Sequence, residues 1–202
     1  MTLGEVSSSG EHADDEDDDA CRAAPPPRST DEDVAELHNA CLHGQPARSA
    51  AFLASIRFDQ QALDEGLTIS CHGGHHEVAQ QLIAAGASSN YVTDDGGPLH
   101  MACQSGAATC VALLLGASAY PDGPAAATAA APCFVAAFHG QTACLSLLLR
   151  AGAYADRAYD GACPLHVVAV EGDRLALEGV WRFARSGACS SLLTQPEHEH
   201  ER

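Results

Sequence analysis

Apolar pairs recur along this chain at intervals of about thirty residues, each pair eight and nine positions after a glycine. Phe52-Leu53, Leu82-Ile83, Leu114-Leu115, Leu148-Leu149 and Val180-Trp181 follow Gly44, Gly74, Gly106, Gly140 and Gly172 in this way. The glycines are 30, 32, 34 and 32 residues apart. Seven places before them stand Leu37, Leu67, Leu99, Cys133 and Leu165; four places before stand Ala40, Ser70, Ala102, Ala136 and Val168, nearly all small. Pro98, Pro132 and Pro164 open the last three segments. Proline is tolerated in the first turn of a helix, where its missing N–H has no partner to lose. The pattern predicts one short helix before each glycine and a second after it. So short a pair cannot bury its apolar faces alone, so the copies must stack into a continuous core. The fold class expected is all-α.

Two of these segments, Gly97-Pro98-Leu99-His100-Met101-Ala102 and Cys163-Pro164-Leu165-His166-Val167-Val168, resemble the Thr-Pro-Leu-His-x-Ala pattern of the ankyrin repeat. Gly86-Ala87, Gly152-Ala153 and Gly187-Ala188 resemble the family's ending of the second helix. The resemblance covers roughly residues 34–190. It implies an ankyrin-repeat solenoid of about five helix-turn-helix units joined by finger loops, at about 34–63, 64–95, 96–129, 130–161 and 162–190. The first copy lacks the proline, and the second reads Glu65-Gly66-Leu67-Thr68. In the first unit the helix is expected from about Val34, with Arg57 to Leu63 linking to the second. The fifth has a longer second helix, and Trp181 is expected to seal that end of the stack. Terminal copies of a solenoid depart from the pattern because one face meets solvent.

Composition narrows the picture. Apolar residues make up 46% of the chain but aromatics only 5%, so the core must be built from Leu, Ala, Val and Cys. Five of the nine cysteines fall in two repeat columns: Cys41, Cys71 and Cys103 lie three before a glycine, Cys110 and Cys144 four after. Residues that recur with the repeat are packing residues, and a free thiol packs as a small hydrophobe. No disulfide framework is expected from an odd count so distributed. Of the net charge of −17, residues 1–33 carry −9 and residues 34–202 carry −8. The run Asp14-Asp15-Glu16-Asp17-Asp18-Asp19, followed by Pro25-Pro26-Pro27, marks 1–33 as an acidic disordered tail. Residues 191–202, ending in alternating His and Glu, read as a mobile tail. The acidic N-terminus is unlike a secretory leader, and no stretch approaches the ~18 apolar residues of a membrane span. The expectation is an intracellular protein, cytoplasmic and/or nuclear, with no membrane and no nucleic-acid partner, since phosphate contacts need a basic surface.

No catalytic signature stands out. A phosphate-cradling loop needs Lys, and the chain has none; a Gly-x-Ser-x-Gly elbow is missing; cysteines on packing columns are inert. We therefore expect no enzyme and no cofactor. Cys71-His72-Gly73-Gly74-His75-His76 is the densest set of metal-ligand types. A structural zinc site needs four ligands in tetrahedral reach, commonly two pairs, and no second pair matches this one. Cys71, His72, His75 and His76 thus carry only a rival reading, a metal- or redox-sensing protein.

The resemblance implies a non-catalytic protein–protein interaction module: an adaptor, scaffold or inhibitor, expected to be monomeric. Its finger loops hold all four tyrosines, Tyr91, Tyr120, Tyr154 and Tyr159, beside Asp94, Asp95, Asp122, Asp156 and Asp160. Exposed tyrosine offers large contact area at small entropic cost, and loops on a rigid scaffold commonly carry recognition. Phe138-His139, a variable pair just before Gly140, joins this partner-binding set. The equivalent pairs are Leu42-His43, His72-Gly73, Gln104-Ser105 and Val170-Glu171. The acids point to a partner with a basic contact surface. Asn90, Asp122 and Asp156 share the column sixteen after a glycine, where a competing role is turn geometry. A substrate-recognition subunit of a ubiquitin ligase is the alternative. Such a receptor usually carries a C-terminal cullin-adaptor box, for which residues 191–202 leave no room.

Overall fold

The computed structural model describes residues 27–93, 96–123 and 130–154. The expected fifth unit, Trp181, most of the acidic tail and the C-terminal tail lie outside them. Within them are eight helices: α1 (Asp31–Leu42), α2 (Pro46–Ser55), α3 (Gln60–Gly73), α4 (His76–Ala84), α5 (Pro98–Ser105), α6 (Ala108–Gly116), α7 (Pro132–Phe138) and α8 (Thr142–Arg150). They form four helix-turn-helix pairs. The first helices pack in one rank, α1 on α3, α3 on α5, α5 on α7; the second helices pack in another, α2 on α4, α4 on α6, α6 on α8. One buried cluster runs through all four pairs, from Leu37 and Leu67 through Leu99 and Leu114 to Leu148 and Ala153.

The turn between the helices of each pair is the same in every unit. Gly44, Gly74, Gly106 and Gly140 all have positive φ, between +60° and +76°, a conformation that a side chain disfavours. The N–H of the next residue then reaches back to the carbonyl four before the glycine. These bonds are Gln45 to Ala40 at 2.9 Å, His75 to Ser70 at 2.9 Å, Ala107 to Ala102 at 2.9 Å and Gln141 to Ala136 at 2.7 Å. This is the Schellman closure of a helix end, in which a left-handed residue lets the chain satisfy the last carbonyls. A Cβ on Gly44 would also strike the His75 ring, and one on Gly106 the Gln141 amide. The glycine column therefore serves two ends: it turns the chain and lets the next unit approach.

Other columns tie unit to unit. His38 Nε2 lies 3.0 Å from Ala62 O, and His100 Nε2 lies 2.8 Å from Ala130 O. In the buried His100, Nδ1 accepts the Gly97 N–H, so the proton sits on Nε2 and that nitrogen donates. Ser49 Oγ, also buried, donates to Gln81 Oε1 at 2.6 Å, and Ser105 Oγ to Cys71 O at 3.3 Å. The cysteine columns are buried as expected, Cys41, Cys71, Cys103, Cys110 and Cys144 all at 0% exposure.

Two boundaries differ from expectation. The first helix starts at Asp31, inside the stretch assigned to the disordered tail. Thr30 caps it: Asp33 N–H donates to Thr30 Oγ1 at 3.3 Å, and Thr30 N–H donates to Asp33 Oδ2 at 2.8 Å. These bonds from Thr30 hold the Asp33 carboxyl below its ordinary pKa. The chain before the cap lies along the first linker, Arg57 N–H donating to Pro27 O and Ser29 N–H to Arg57 O, both at 2.9 Å. The second difference is α3, which begins at Gln60, so Leu63 is helical and buried rather than part of a linker. Its longer start follows from the missing proline: α5 and α7 open at Pro98 and Pro132, whereas Glu65-Gly66 imposes no stop.

Leu99 is 3% exposed in the third unit, with units packed on both sides. Leu99→Ala is expected to destabilise the stack by roughly 2–5 kcal/mol, the cost of emptying a buried leucine site. Urea denaturation measures this, and a loss under about 1 kcal/mol would show that Leu99 is not in the core.

Candidate functional site

The finger between α6 and α7 and the chain after α8 are fixed by an acceptor from the preceding unit. Asn90 Oδ1 accepts the Tyr120 N–H at 2.8 Å, while Asn90 Nδ2 donates to Ser118 O at 3.2 Å. One unit further along the column, Asp122 Oδ1 accepts the Tyr154 N–H at 2.7 Å. Ser89 Oγ adds a bond to Ala117 O at 3.0 Å. The same asparagine or aspartate position thus clamps the backbone of the next unit, and the clamped residue is a tyrosine both times. Its backbone is held while its ring stands free, Tyr120 at 61% and Tyr154 at 63% exposure.

Asp122, expected among the partner contacts, also ties one unit to the next. In the structure one of its oxygens is committed to the Tyr154 amide, so it is a clamp between units. Tyr91 is half-buried, and its carbonyl presses on Gly97 so closely that a Cβ there would collide with it. Thr93 and Gly96 pair across the tip of that finger. Asp94, Asp95, Asp156, Tyr159 and Asp160 lie outside the described residues.

Sequence reasoning missed Asp64. This carboxylate is 4% exposed and accepts from Ser88 N–H at 2.6 Å and Gln60 Nε2 at 2.9 Å. It fixes the start of the finger after α4. The advance signal was Gln60 four places before Asp64, a spacing that puts both side chains on one helix face.

A second exposed set lies at the other end of the first helices. Phe138 is 60% exposed, its ring 6.3 Å from that of Phe134 at 12° and 5.3 Å from that of His139 at 88°. Leu42, at 57% exposure, holds the equivalent place in the first unit, and His72 and Gln104 there are also exposed. The helix α7 has seven residues, so these side chains lie about 10 Å along the helix axis from its finger end.

The cysteine–histidine run does not assemble. Cys71 is buried in the core, His72 and His76 face solvent, and His75 Nε2 bonds Leu42 O at 3.1 Å. Among the described residues no three His, Cys, Asp or Glu side chains converge as a metal site would need. No helix among them is long and apolar enough to cross a membrane.

A family model described as ankyrin repeats, in three copies, matches residues 37–125. Residues 37–125 are ankyrin repeats by this match. The unit formed by α7 and α8, beyond the matched residues, repeats the same proline start, glycine turn and closing bond. No curated protein matches the chain. Ankyrin repeats are generally protein–protein interaction modules and typically non-enzymatic.

The clamps and the rings should separate in stability measurements. Asn90→Ala and Asp122→Ala each leave an N–H of the next unit without its acceptor and are expected to cost about 1–3 kcal/mol. Tyr120→Ala and Tyr154→Ala remove only exposed rings and should stay within about 0.5 kcal/mol of the parent. Urea titration of the four variants checks this; equal losses in both pairs would make the tyrosines structural.

Proposed function

We propose that this ankyrin-repeat protein binds a partner protein through the finger side of the stack, with Tyr120 and Tyr154 as the central contacts and a basic partner surface against them. The observation that carries the reading is the pair of exposed rings on clamped backbone. A tyrosine whose main chain is already fixed loses little further freedom on binding, so its contact area converts efficiently into affinity. The charge of the scaffold supports the choice of partner. No Lys or Arg stands between Arg57 and Arg150, while Asp59, Asp64, Glu65, Glu77, Asp94, Asp95 and Asp122 all fall in that span. The units that carry the fingers therefore present negative charge alone at neutral pH. Such a field attracts cationic surfaces and repels anionic ones. Phe138, with Phe134 and His139 beside it, extends the contact toward the far end of the first helices.

The test is capture of partners from cell lysate on the immobilised full chain, compared with the Tyr120→Ala/Tyr154→Ala variant. The double variant should keep the helical content of the parent and lose at least about tenfold in affinity, the scale of losing one interface hot spot. Binding by the parent should weaken with added salt, because charges facing solvent are screened over about 8 Å at physiological ionic strength. Undiminished binding by the double variant, with loss in Phe138→Ala instead, would move the site to the helix ends.

A further inference from the structure

All ten basic residues of the chain are Arg, and two of them meet across a backbone bridge. Ahead of α1 the chain runs parallel to the linker after α2, and Arg28 stands directly opposite Arg57. The bonds from Arg57 N–H to Pro27 O and from Ser29 N–H to Arg57 O, both at 2.9 Å, fix that register. Residues opposed in such a bridge send their side chains to the same face, on backbones about 4.8 Å apart. Both arginines are exposed. Like charges directly opposite each other are destabilising, and an anion lying between them removes that cost. The acids closest in sequence do not supply it. Among the described residues the ion pair formed is Arg48 with Glu36, at 3.5 Å, and neither Asp31 nor Asp59 forms one with Arg28 or Arg57.

We propose that the acidic run of residues 14–19 in the same chain docks on the Arg28–Arg57 pair. Charge selects it. The run carries six carboxylates in succession, and each guanidinium can take a carboxylate by a two-pronged bond. Position selects it too. Eight residues, 20–27, separate Asp19 from Arg28, and a chain of that length reaches at most roughly 26–29 Å. That is enough to leave the bridge and turn back onto it. A single exposed ion pair is worth little. A tethered run differs, because its effective concentration at the pair is about millimolar and any of its six acids can take either guanidinium. The linker after α2 is the first unit's counterpart of the fingers. Phe58, next to Arg57, holds the column of Tyr120 and Tyr154, fourteen after a glycine. The docked run therefore covers the basic end of the finger row.

The experiment is NMR of the isotope-labelled full chain, compared with a chain whose run is neutralised by D14N/D15N/E16Q/D17N/D18N/D19N. At low salt the side-chain Nε–H and backbone amide signals of Arg28 and Arg57 should differ between the two, while those of α3 to α8 coincide. The difference should fade as salt is added, since exposed charges are screened over about 3 Å at 1 M. The probe for the site is a free hexapeptide with the sequence of the run, Asp-Asp-Glu-Asp-Asp-Asp. It should shift the same signals in the neutralised chain at concentrations at least about tenfold below those the parent requires, because in the parent the tethered run competes. With Arg28→Gln and Arg57→Gln added to the neutralised chain, which alters neither backbone group of the bridge, the peptide should shift neither position. Identical Arg28 and Arg57 signals in the parent and neutralised chains would overturn the proposal. Equal peptide concentrations in both would also overturn it and make the pair a site for an outside acidic segment. A difference that vanishes on dilution would assign the run to a second copy and overturn it as well.

Discussion

Everything in this stack follows from one backbone turn repeated at a fixed interval. A left-handed glycine ends each first helix, and the N–H after it returns to a small residue four places before the glycine. Those small residues, Ala40, Ser70, Ala102 and Ala136, are at 1% exposure or less. A larger side chain there would hold the units apart. Once the turn fixes where the second helix starts, each column of the sequence faces a defined column of the next unit. The leucines meet in the core, the histidines reach the next unit's carbonyls, the cysteines are buried in the stack, and the asparagine–aspartate column meets the next amide.

That register explains how one loop can be both rigid and available. In the fingers the work is divided between main chain and side chain. Asn90 and Asp122 hold the amides of Tyr120 and Tyr154, and the rings are left to solvent. A loop held by its own side chains would have to give up one role to perform the other. Here the holding group comes from the preceding unit, so the tyrosines are spared. The absence of Lys and Arg through the central units then sets the sign of the surface around them.

Periodic features were legible in sequence, and local ones were not. The helix pairs, the glycine turns and the buried cysteine columns could be read because each recurs about every thirty-odd residues and repetition separates signal from composition. Thr30 and Asp33 occur once. Their capping box stood at the edge of an acidic segment and was read as part of its charge, although Thr-x-x-Asp before a helical run is the local sign of a helix start. The run from Cys71 to His76 was legible as composition but not as geometry. It straddles a helix end, so residues adjacent in sequence point into the core, into solvent and back to Leu42. Asp122 shows the reverse difficulty. Its column marks it as a turn residue and its neighbours mark it as a contact, and the bond to the Tyr154 amide adds a role between units that neither signal named.

The central claim is that the tyrosine-bearing segments are rigid because the preceding unit clamps them. Amide hydrogen exchange at Tyr120 and Tyr154 in the full chain tests it most directly. Protection at both amides comparable to that of the flanking helices is the predicted result, with Asp122→Ala releasing Tyr154 while Tyr120 stays protected. Exchange of both amides at the rate of an open loop in the unmodified protein would contradict the account.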